Sequence, residues 1–202
     1  MRIDGLFPYP IGTKYFYRPL NPVEKIIIEN QERRKNLYNE SSFNSNILEM
    51  SELSELKQFI VQSVNEFFDE VYKPKTKAEV YLTQSWSNYT SKNMNHHRHT
   101  HANSYLSGVF YTKCHNDKIV FYDDMGIALN RHMRFEPREF NMFNSDLWKT
   151  NIEENVLIIF PSYLGHSVDT IEDDHERISI AFNTYVRGTI GSETGLTHLN
   201  LV

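Results

Sequence analysis

The chain has 202 residues, of which 21 are basic and 26 acidic, and its formal net charge is −5. This length allows one domain with a buried core, and the acidic balance argues against nucleic-acid binding, which normally shows as an excess of Lys and Arg. Cys114 is the single cysteine, so an intrachain disulfide is excluded and a reducing compartment is expected.

Helical patterns dominate the first part of the chain. Asn21, Pro22 and Glu24 form a helix start, because they supply an N-cap residue, a proline at the first helical position and a glutamate three residues after the cap. This helix is predicted to lead into the segment IIIENQERRKNL. A second helix is predicted over roughly Leu53 to Tyr72, where apolar residues recur at steps of three and four and form a stripe that would pack against a sheet.

Segments rich in Val, Ile, Tyr and Phe follow from Lys77 onward. They are EVYLTQSWSN, SYLSGVFYTK, KIVFYDD, NVLIIFPS and ERISIAFNTYV, and polar or Gly/Pro stretches separate them. Because no helical pattern lies between them, they predict mostly antiparallel strands. The chain is therefore predicted to have an α+β, mainly β fold, in which N-terminal helices buttress a β-sandwich or jelly roll.

The sequence shows no domain boundary, since it has no internal repeat, low-complexity tract or Gly/Ser linker. We expect one domain over residues 1–202, with helical support over about 20–75 and a jelly roll over about 77–190. The interval from Met125 to Asn155 is polar and aromatic without a clear period, and a loop of this length is usually functional. It is predicted to shape the entrance of a site with its large side chains, Arg131, Arg134, Arg138 and Trp148.

Four of the nine histidines lie in the run from His96 to His101. Neutral imidazole is the commonest protein ligand for transition metals. His99 and His101 are two residues apart, so their rings project from the same side of an extended segment. The pair predicts half of a metal site, while His96 and His97 are interpreted as loop residues.

His166 is predicted to be the third ligand. It follows the apolar strand NVLIIF and the turn PSYLG, so it lies where the chain leaves the core. A single histidine after a strand is more often structural than a ligand. The His-x-His pair about 65 residues upstream favours the ligand interpretation here.

The last predicted strand carries a polar face next to an apolar one. Arg177, Ser179, Ala181 and Asn183 alternate along it with Ile178, Ile180 and Phe182. A guanidinium group binds a carboxylate through two parallel hydrogen bonds, and a serine hydroxyl can add a third donor. The pattern predicts a carboxylate-binding pocket, with an exposed edge strand as the alternative.

The order of these motifs resembles that of the Fe(II)- and 2-oxoglutarate-dependent oxygenases, and the resemblance covers most of the chain. The closer similarity is to a subgroup of 2-oxoglutarate/Fe(II) oxygenases of bacteria and phages. The fragments that match it are Trp86-Ser87-Asn88, His99-Thr100-His101, Ser107-Gly108-Val109-Phe110-Tyr111, Phe160-Pro161-Ser162 with His166, Glu176-Arg177-Ile178-Ser179 and Phe182-Asn183. The resemblance implies a double-stranded β-helix (jelly roll). It also implies hydroxylation of a substrate with Fe(II), 2-oxoglutarate and O2, releasing succinate and CO2.

Carried over position by position, the resemblance implies that His99, His101 and His166 bind iron. It assigns the distal carboxylate of 2-oxoglutarate to Arg177 and Ser179. The further cosubstrate contacts that it implies are Asn88, Tyr111 and Asn183. His97 competes as first ligand, although the thirteen-residue step from Trp86 favours His99.

One position departs from the wider family, in which Asp or Glu stands where this chain has His101. Three neutral imidazoles leave one more unit of positive charge on the iron than two histidines and a carboxylate do. This charge favours binding of a dianionic cosubstrate. Asp123 or Asp124 is an alternative source of a carboxylate, although both belong to the turn after KIVFY.

Two other functions fit parts of the pattern. A cupin-type dioxygenase or isomerase that does not use 2-oxoglutarate would also carry His-x-His and a later histidine. Cupins usually place a glutamate soon after His-x-His, however, where this chain has Ala102-Asn103-Ser104. A non-enzymatic jelly-roll module could hold structural zinc, but structural zinc normally takes four protein ligands.

The sequence does not define the primary substrate or the oligomeric state. A protein side chain or a small metabolite is favoured over nucleic acid, because the net charge is negative. No segment reaches the roughly 18 apolar residues that a membrane span needs, and the N-terminus lacks the apolar core of a signal peptide. We expect a cytoplasmic protein, in the host cytoplasm for a phage-encoded member.

Overall fold

The computed structural model describes residues 1–124 and 136–202. In this part of the chain the α-helices are α1 (Pro22–Glu29) and α2 (Ser54–Tyr72), and two short 3-10 helices, Ile47–Glu49 and Ser51–Leu53, precede α2. None of these helices is long and apolar enough to cross a membrane. The strands in chain order are β1 (Gly12–Tyr15), β2 (Arg33–Lys35), β3 (Glu40–Ser42), β4 (Ala78–Thr90), β5 (His96–His99), β6 (Leu106–Lys113), β7 (Lys118–Tyr122), β8 (Leu147–Asn151), β9 (Val156–Pro161), β10 (His166–Val168), β11 (Arg177–Ile190) and β12 (Leu199–Leu201).

These strands form two antiparallel sheets. The larger sheet has the order β1-β9-β6-β11-β4-β3-β2, with β12 paired to β11, and the smaller sheet has the order β5-β10-β7-β8. The five strand segments predicted from the sequence form β4, β6, β7, β9 and β11. The expectation of a mostly β chain with N-terminal helices is therefore confirmed.

The central strands of the larger sheet, β6 and β9, are buried on both faces. On one face the apolar stripe of α2, including Leu56 and Ile60, packs against strand residues such as Phe182 in a shared core. The other face turns towards the smaller sheet, and Tyr111 and Phe121 belong to the core between the two sheets. Each fully buried side chain of this size contributes roughly 1.5–3 kcal/mol relative to an exposed one. The helices thus cover the outside of the larger sheet and leave its inner face for the space between the sheets.

The predicted helix start at Asn21 is confirmed, but the helix is shorter than predicted. Asn21 Oδ1 accepts hydrogen bonds from the backbone N–H groups of Val23 and Glu24 at 2.9 and 3.0 Å, and Glu24 Oε2 accepts one from Asn21 N at 2.7 Å. α1 ends at Glu29, and the charged residues that follow form β2, which pairs with β3. The segment NQERRK has no apolar stripe that could pack a longer helix. Residues 20–75 therefore contribute strands as well as helices.

Several strands were not predicted. β5 and β10 have only four and three residues, so they are too short for a period to be read from the sequence. β8 lies in the interval from 125 to 155, which the pattern predicts as a loop, and it pairs along its length with β7, with Trp148 opposite Phe121. Arg131 and Arg134, which are predicted to shape an entrance, lie outside the described residues.

Candidate metal centre

Three histidines meet where β5 pairs with β10. His99 and His166 are direct partners in the strand register, and His101 follows β5 by two residues. The potential ligand atoms of the three side chains all lie within 4.8 Å of one another, and the Nε2 atoms of His101 and His166 are 3.2 Å apart. Within residues 1–124 and 136–202 this is the only group of His, Cys, Asp or Glu side chains placed to share an ion. The structure thus brings together the three predicted ligands.

Backbone carbonyls orient two of the three rings. His99 Nδ1 lies 2.7 Å from the carbonyl oxygen of His97, and His166 Nδ1 lies 2.9 Å from that of Leu164. A carbonyl oxygen only accepts, so Nδ1 of each ring carries the proton and donates it. The lone pair is then on Nε2, which can bind a metal ion; Nε2 of His166 faces His101.

Burial keeps the three imidazoles neutral. It lowers the pKa of His101 to about 4, with a smaller contribution from the neighbouring His99. Burial also lowers the pKa of His99, and it holds the pKa of His166 well below its usual range. A metal ion needs the neutral imidazole as its ligand. The donor set of three neutral nitrogens therefore fits a divalent transition metal ion without prior loss of protons near pH 7.

Neither alternative carboxylate belongs to this group. The Tyr9 hydroxyl donates a hydrogen bond to Asp123 Oδ1 at 3.1 Å, and Asp124 forms an ion pair with Arg98 of β5. The Arg98 guanidinium also lies over the Tyr122 ring, 4.2 Å from its centroid. Asp124 and Arg98 thus fasten β5 to the end of β7 and leave the histidines as the candidate ligands.

A cavity lies between the two sheets beside the three histidines. We refer to it as the inner cavity. The residues that line it are Trp86, Asn88, Thr90, His96, His99, His101, Gly108, Val109, Tyr111, Ile119, Phe160, His166, Val168, Arg177, Ser179 and Ala181. Arg177, Ser179, Asn88 and Tyr111, which are predicted to bind the cosubstrate, are all in this set.

The polar residues of the inner cavity form a row across three neighbouring strands. Ser179 of β11 is opposite Asn88 of β4 on one side and opposite Tyr111 of β6 on the other. Residues that are direct partners in an antiparallel sheet point to the same face, so all three side chains point into the cavity. Arg177 lies two residues before Ser179, on the same face, opposite Thr90. The sheet register therefore explains why residues far apart in sequence converge here.

Three buried polar atoms of the inner cavity have no hydrogen-bond partner within the described protein. They are Arg177 Nη2, the Tyr111 hydroxyl and Asn88 Oδ1. An unsatisfied buried polar group costs roughly 1–3 kcal/mol, and such groups are rare in folded proteins. Two of the three groups can donate a hydrogen bond, so the cavity fits a small ligand that carries a carboxylate.

The remaining predicted residue, Asn183, is directed elsewhere. It lies on the same strand face as Arg177, but its Oδ1 accepts a hydrogen bond from Ser107 Oγ at 3.0 Å, and it does not line the inner cavity. Ser107 Oγ is also 2.7 Å from Ser162 Oγ, and the carbonyl of Ser162 accepts the backbone N–H of His101 at 3.0 Å. Asn183 thus belongs to a cluster with the Ser107 and Ser162 hydroxyl groups, and the backbone of Ser162 supports the chain at His101.

Sequence reasoning missed Asp117, which lies in the turn between β6 and β7. Its Oδ1 accepts a hydrogen bond from Arg177 Nη1 at 2.8 Å, and its Oδ2 is 3.2 Å from His175 Nε2. Asp117 Oδ2 also accepts the backbone N–H of His115 at 2.9 Å. In the sequence Asp117 resembles an ordinary polar turn residue, and nothing in the sequence pattern links it to Arg177.

The interpretation of His96 and His97 as loop residues is wrong, because both lie in β5. Along β10, His166 and Val168 are two positions apart, while their partners along β5, His99 and His96, are three positions apart. This β-bulge turns His96 to the same face as His99, and the two rings stack with centroids 4.6 Å apart. His96 lines the inner cavity, and burial lowers its pKa to about 3. The regular two-residue alternation of side chains along a strand would not have predicted that His96 lines the inner cavity.

A comparison with protein families matches this part of the chain. Residues 84–183 match the model of a family described as "Putative 2OG-Fe(II) oxygenase". The matched segment includes the three histidines, Arg177 and the cavity residues of β4, β6 and β11. No curated protein sequence matches the chain.

Solved structures with the same fold include oxygenases. An oxidoreductase of the 2OG-Fe(II) oxygenase family from Burkholderia pseudomallei has a TM-score of 0.57 at 12% identity, over 86% of this chain and 83% of that one. A prolyl-4-hydroxylase from Pseudomonas putida has a TM-score of 0.56 at 10% identity, over 89% and 94%. HygX from Streptomyces hygroscopicus, solved with nickel and 2-oxoglutarate bound, has a TM-score of 0.52 at 9% identity, over 79% and 75%. At these identities the likeness establishes the fold.

Proposed function

We propose that this chain, in which residues 84–183 match the 2OG-Fe(II) oxygenase family, is an oxygenase of that family and hydroxylates a C–H bond of a primary substrate. One observation carries the proposal: the three-histidine group borders a buried cavity that holds a guanidinium group with one unpaired nitrogen. As parts of the same proposal, the two facing sheets form a double-stranded β-helix (jelly roll), and residues 1–202 form one domain.

His99, His101 and His166 are the proposed iron ligands. Their neutral nitrogens lie close enough to share one ion, and the carbonyls of His97 and Leu164 hold two of the rings in the orientation that exposes Nε2. No carboxylate of the described residues joins them, so the ligand set adds no negative charge. The full charge of the divalent ion is then available to attract an anionic cosubstrate.

Arg177, Ser179, Tyr111 and Asn88 are the proposed cosubstrate residues. Arg177 Nη2 and the Tyr111 hydroxyl are the free donors of the inner cavity, and a carboxylate of 2-oxoglutarate would accept hydrogen bonds from them and from Ser179. The apolar side chains of the cavity wall, including Ile119, exclude water from the same space.

When bound, Fe(II), 2-oxoglutarate and O2 supply the oxidative chemistry, in which 2-oxoglutarate is converted to succinate and CO2 and one oxygen atom is inserted into the substrate. His99, His101 and His166 would hold the ion, Arg177 would orient the cosubstrate, and the apolar wall would limit the access of water to the cavity. No general acid or base is required of the chain. The primary substrate is either a small metabolite or a protein side chain.

Anaerobic titration tests this proposal. We expect the purified protein with Fe(II) and 2-oxoglutarate to develop the weak visible charge-transfer band of the chelate. Replacement of Arg177 by Ala should weaken 2-oxoglutarate binding about tenfold or more, because it removes a charge-assisted hydrogen bond to the carboxylate. Arg187→Ala is the matched control, since Arg187 is exposed and pairs with Glu79 far along β11.

Two results would overturn the assignment. One is the absence of a band in the wild-type protein. The other is an unchanged titration in the Arg177→Ala variant. If the band behaves as expected, succinate release in air and a product mass increase of one oxygen atom test the hydroxylation step.

A further inference from the structure

A second and more open cleft meets the metal centre from outside. We call it the outer cleft; it has a volume of about 510 Å³. Its lining residues are Arg34, Lys35, Asn36, Ser41, Ser45, Gln84, Trp86, His96, His97, His99 and His101. Trp86 and the histidines 96, 99 and 101 line the inner cavity as well, so the two spaces meet at the candidate iron site. A molecule in the outer cleft would therefore lie beside the reacting centre.

The charges along the outer cleft all have one sign. Arg34 and Lys35 line it, and no carboxylate does. Neither residue forms an ion pair with an acidic residue of the described chain. Six other arginines do form such pairs; they are Arg2, Arg18, Arg33, Arg98, Arg177 and Arg187. Although the chain has a net charge of −5, the charged side chains that line this cleft are therefore positive.

Arg34 is nevertheless held in place. Its Nε donates a hydrogen bond to Ser41 Oγ at 3.4 Å, and its guanidinium carbon lies 5.9 Å from the centroid of the Phe43 ring. These contacts leave Nη1 and Nη2 without a hydrogen bond in the described structure. A guanidinium group with two free nitrogens matches the two oxygens of a carboxylate or phosphate.

The register of the larger sheet places Arg34 on the same face as the inner cavity. Arg34 is opposite Ser41, and Ser41 is opposite Asn88, which is opposite Ser179. Direct partners point to the same face, so one row of side chains runs from Arg34 to the cavity. Neighbouring strands are about 4.8 Å apart, which puts β2 about 10 Å from β4. Arg34 is thus two strands away from Asn88, which lines the inner cavity.

Trp86 supplies the apolar surface between these two points. It lies two residues before Asn88 on β4 and on the same face, and its ring centroid is 6.1 Å from that of His101. An apolar part of a substrate could rest on this ring next to the metal centre, with its anionic end at Arg34. The polar side chains of Gln84 and Ser45 complete the wall.

We infer that the outer cleft binds the primary substrate, and that this substrate is a small molecule with a carboxylate or phosphate group held by Arg34. The inference rests on the proposed oxygenase function, because it takes the metal centre as the reacting point. Lys35 adds a second positive charge at the same mouth.

Calorimetric titration under nitrogen tests this inference on the protein loaded with Fe(II) and 2-oxoglutarate. The probes are two pairs that differ in charge: hippurate against hippuramide, and phenyl phosphate against phenol. We expect saturable binding of at least one anion, about tenfold or more tighter than its neutral partner. The pair that shows this preference distinguishes a carboxylate substrate from a phosphate substrate.

Variants of the same protein locate the anion. Arg34→Gln should weaken binding of the preferred anion about tenfold, Arg34→Lys should restore part of the affinity, and Arg187→Gln should leave it unchanged. The charge-transfer band is recorded in each sample before titration. If the wild-type band is missing, the oxygenase function fails. If the band is present but neither anion is preferred, or Arg34→Gln has no effect, the substrate inference alone is wrong.

Discussion

Arg177 is the residue proposed to bind the cosubstrate in the inner cavity, and the two terminal nitrogens of its guanidinium group have different environments. Nη1 is bound to Asp117 at 2.8 Å, while Nη2 has no partner. Both side chains of this pair are almost fully buried, with 3% and 7% exposure. Asp117 therefore compensates the buried charge in the empty protein and fixes the direction of the free nitrogen. A bound dianion would act as a second counter-charge.

Replacing Asp117 with Asn should destabilise the cosubstrate-free protein by about 3 kcal/mol, because it leaves the buried guanidinium charge without compensation. With Fe(II) present, 2-oxoglutarate should recover part of this loss, so its stabilising effect is larger in the variant than in the wild type. Urea unfolding under nitrogen, with and without 2-oxoglutarate, measures both quantities. Glu79→Gln is the control, since its pair with Arg187 is exposed and worth about 0–1 kcal/mol. Equal stabilisation by 2-oxoglutarate in the Asp117→Asn variant and in the wild type would contradict the role of Asp117 as the counter-charge of Arg177.

The sequence predicted the residues whose chemistry is carried by type and spacing. His99, His101, His166 and Arg177 are recognisable because few other side chains bind a metal or a carboxylate in this way. Asp117 was not predictable, since its function arises only when the turn after β6 folds over the start of β11.

At the level of secondary structure, long segments were predictable and short ones were not. The strands β4, β6 and β11 each have eight or more residues, so their apolar and polar faces alternate often enough to be recognised. β2, β3 and β5 have three or four residues and polar sequences, and pairing with neighbours alone makes them strands. The bulge in β5 and the hairpin of β2 and β3, which form the outer cleft, could not be found from a local pattern.

Gly108 shows how closely the strands of the larger sheet approach one another. A Cβ atom at this position would collide with the Phe182 ring and would lie 2.8 Å from the carbonyl oxygen of Ile158. Gly108→Ala should therefore lower the free energy of unfolding by about 1–3 kcal/mol, as measured by urea titration. The control is Gly5→Ala, whose new methyl group would have its nearest neighbour at 3.8 Å. An unchanged midpoint in Gly108→Ala would show that the strands can separate without cost.

Across the whole molecule, the residues proposed to bind the metal ion and those proposed to bind the cosubstrate belong to different sheets. The metal ligands lie on or next to β5 and β10 of the smaller sheet, whereas Arg177, Ser179, Asn88 and Tyr111 belong to the larger sheet. A cosubstrate bound to both the ion and Arg177 would therefore link the two layers. The sequence predicted a layered, mostly β chain with one site. It did not predict that the site spans two sheets, because strand order is set by long-range pairing.

This arrangement predicts that metal and cosubstrate stabilise the protein together. Thermal unfolding with Zn(II) and 2-oxoglutarate should occur at a higher temperature than with either alone, and a chelator should remove the gain. A ligand at about a hundred times its Kd adds about 2.7 kcal/mol, or roughly 5–10 °C for a chain of this size. His166→Ala should abolish the metal effect and His198→Ala should retain it. Equal gains from 2-oxoglutarate with and without metal would rule out the linkage.

The hairpin of β2 and β3 occupies a single continuous stretch, residues 33–42, which contributes Arg34 and Ser41 to the outer cleft and none of the histidines. On the proposed function and the inferred substrate site, exchanging this stretch as a unit should change which compound is bound while the metal centre is kept. The exchange must keep the hairpin in register, because a slip of one residue would turn the new side chains to the helix-covered face of the sheet.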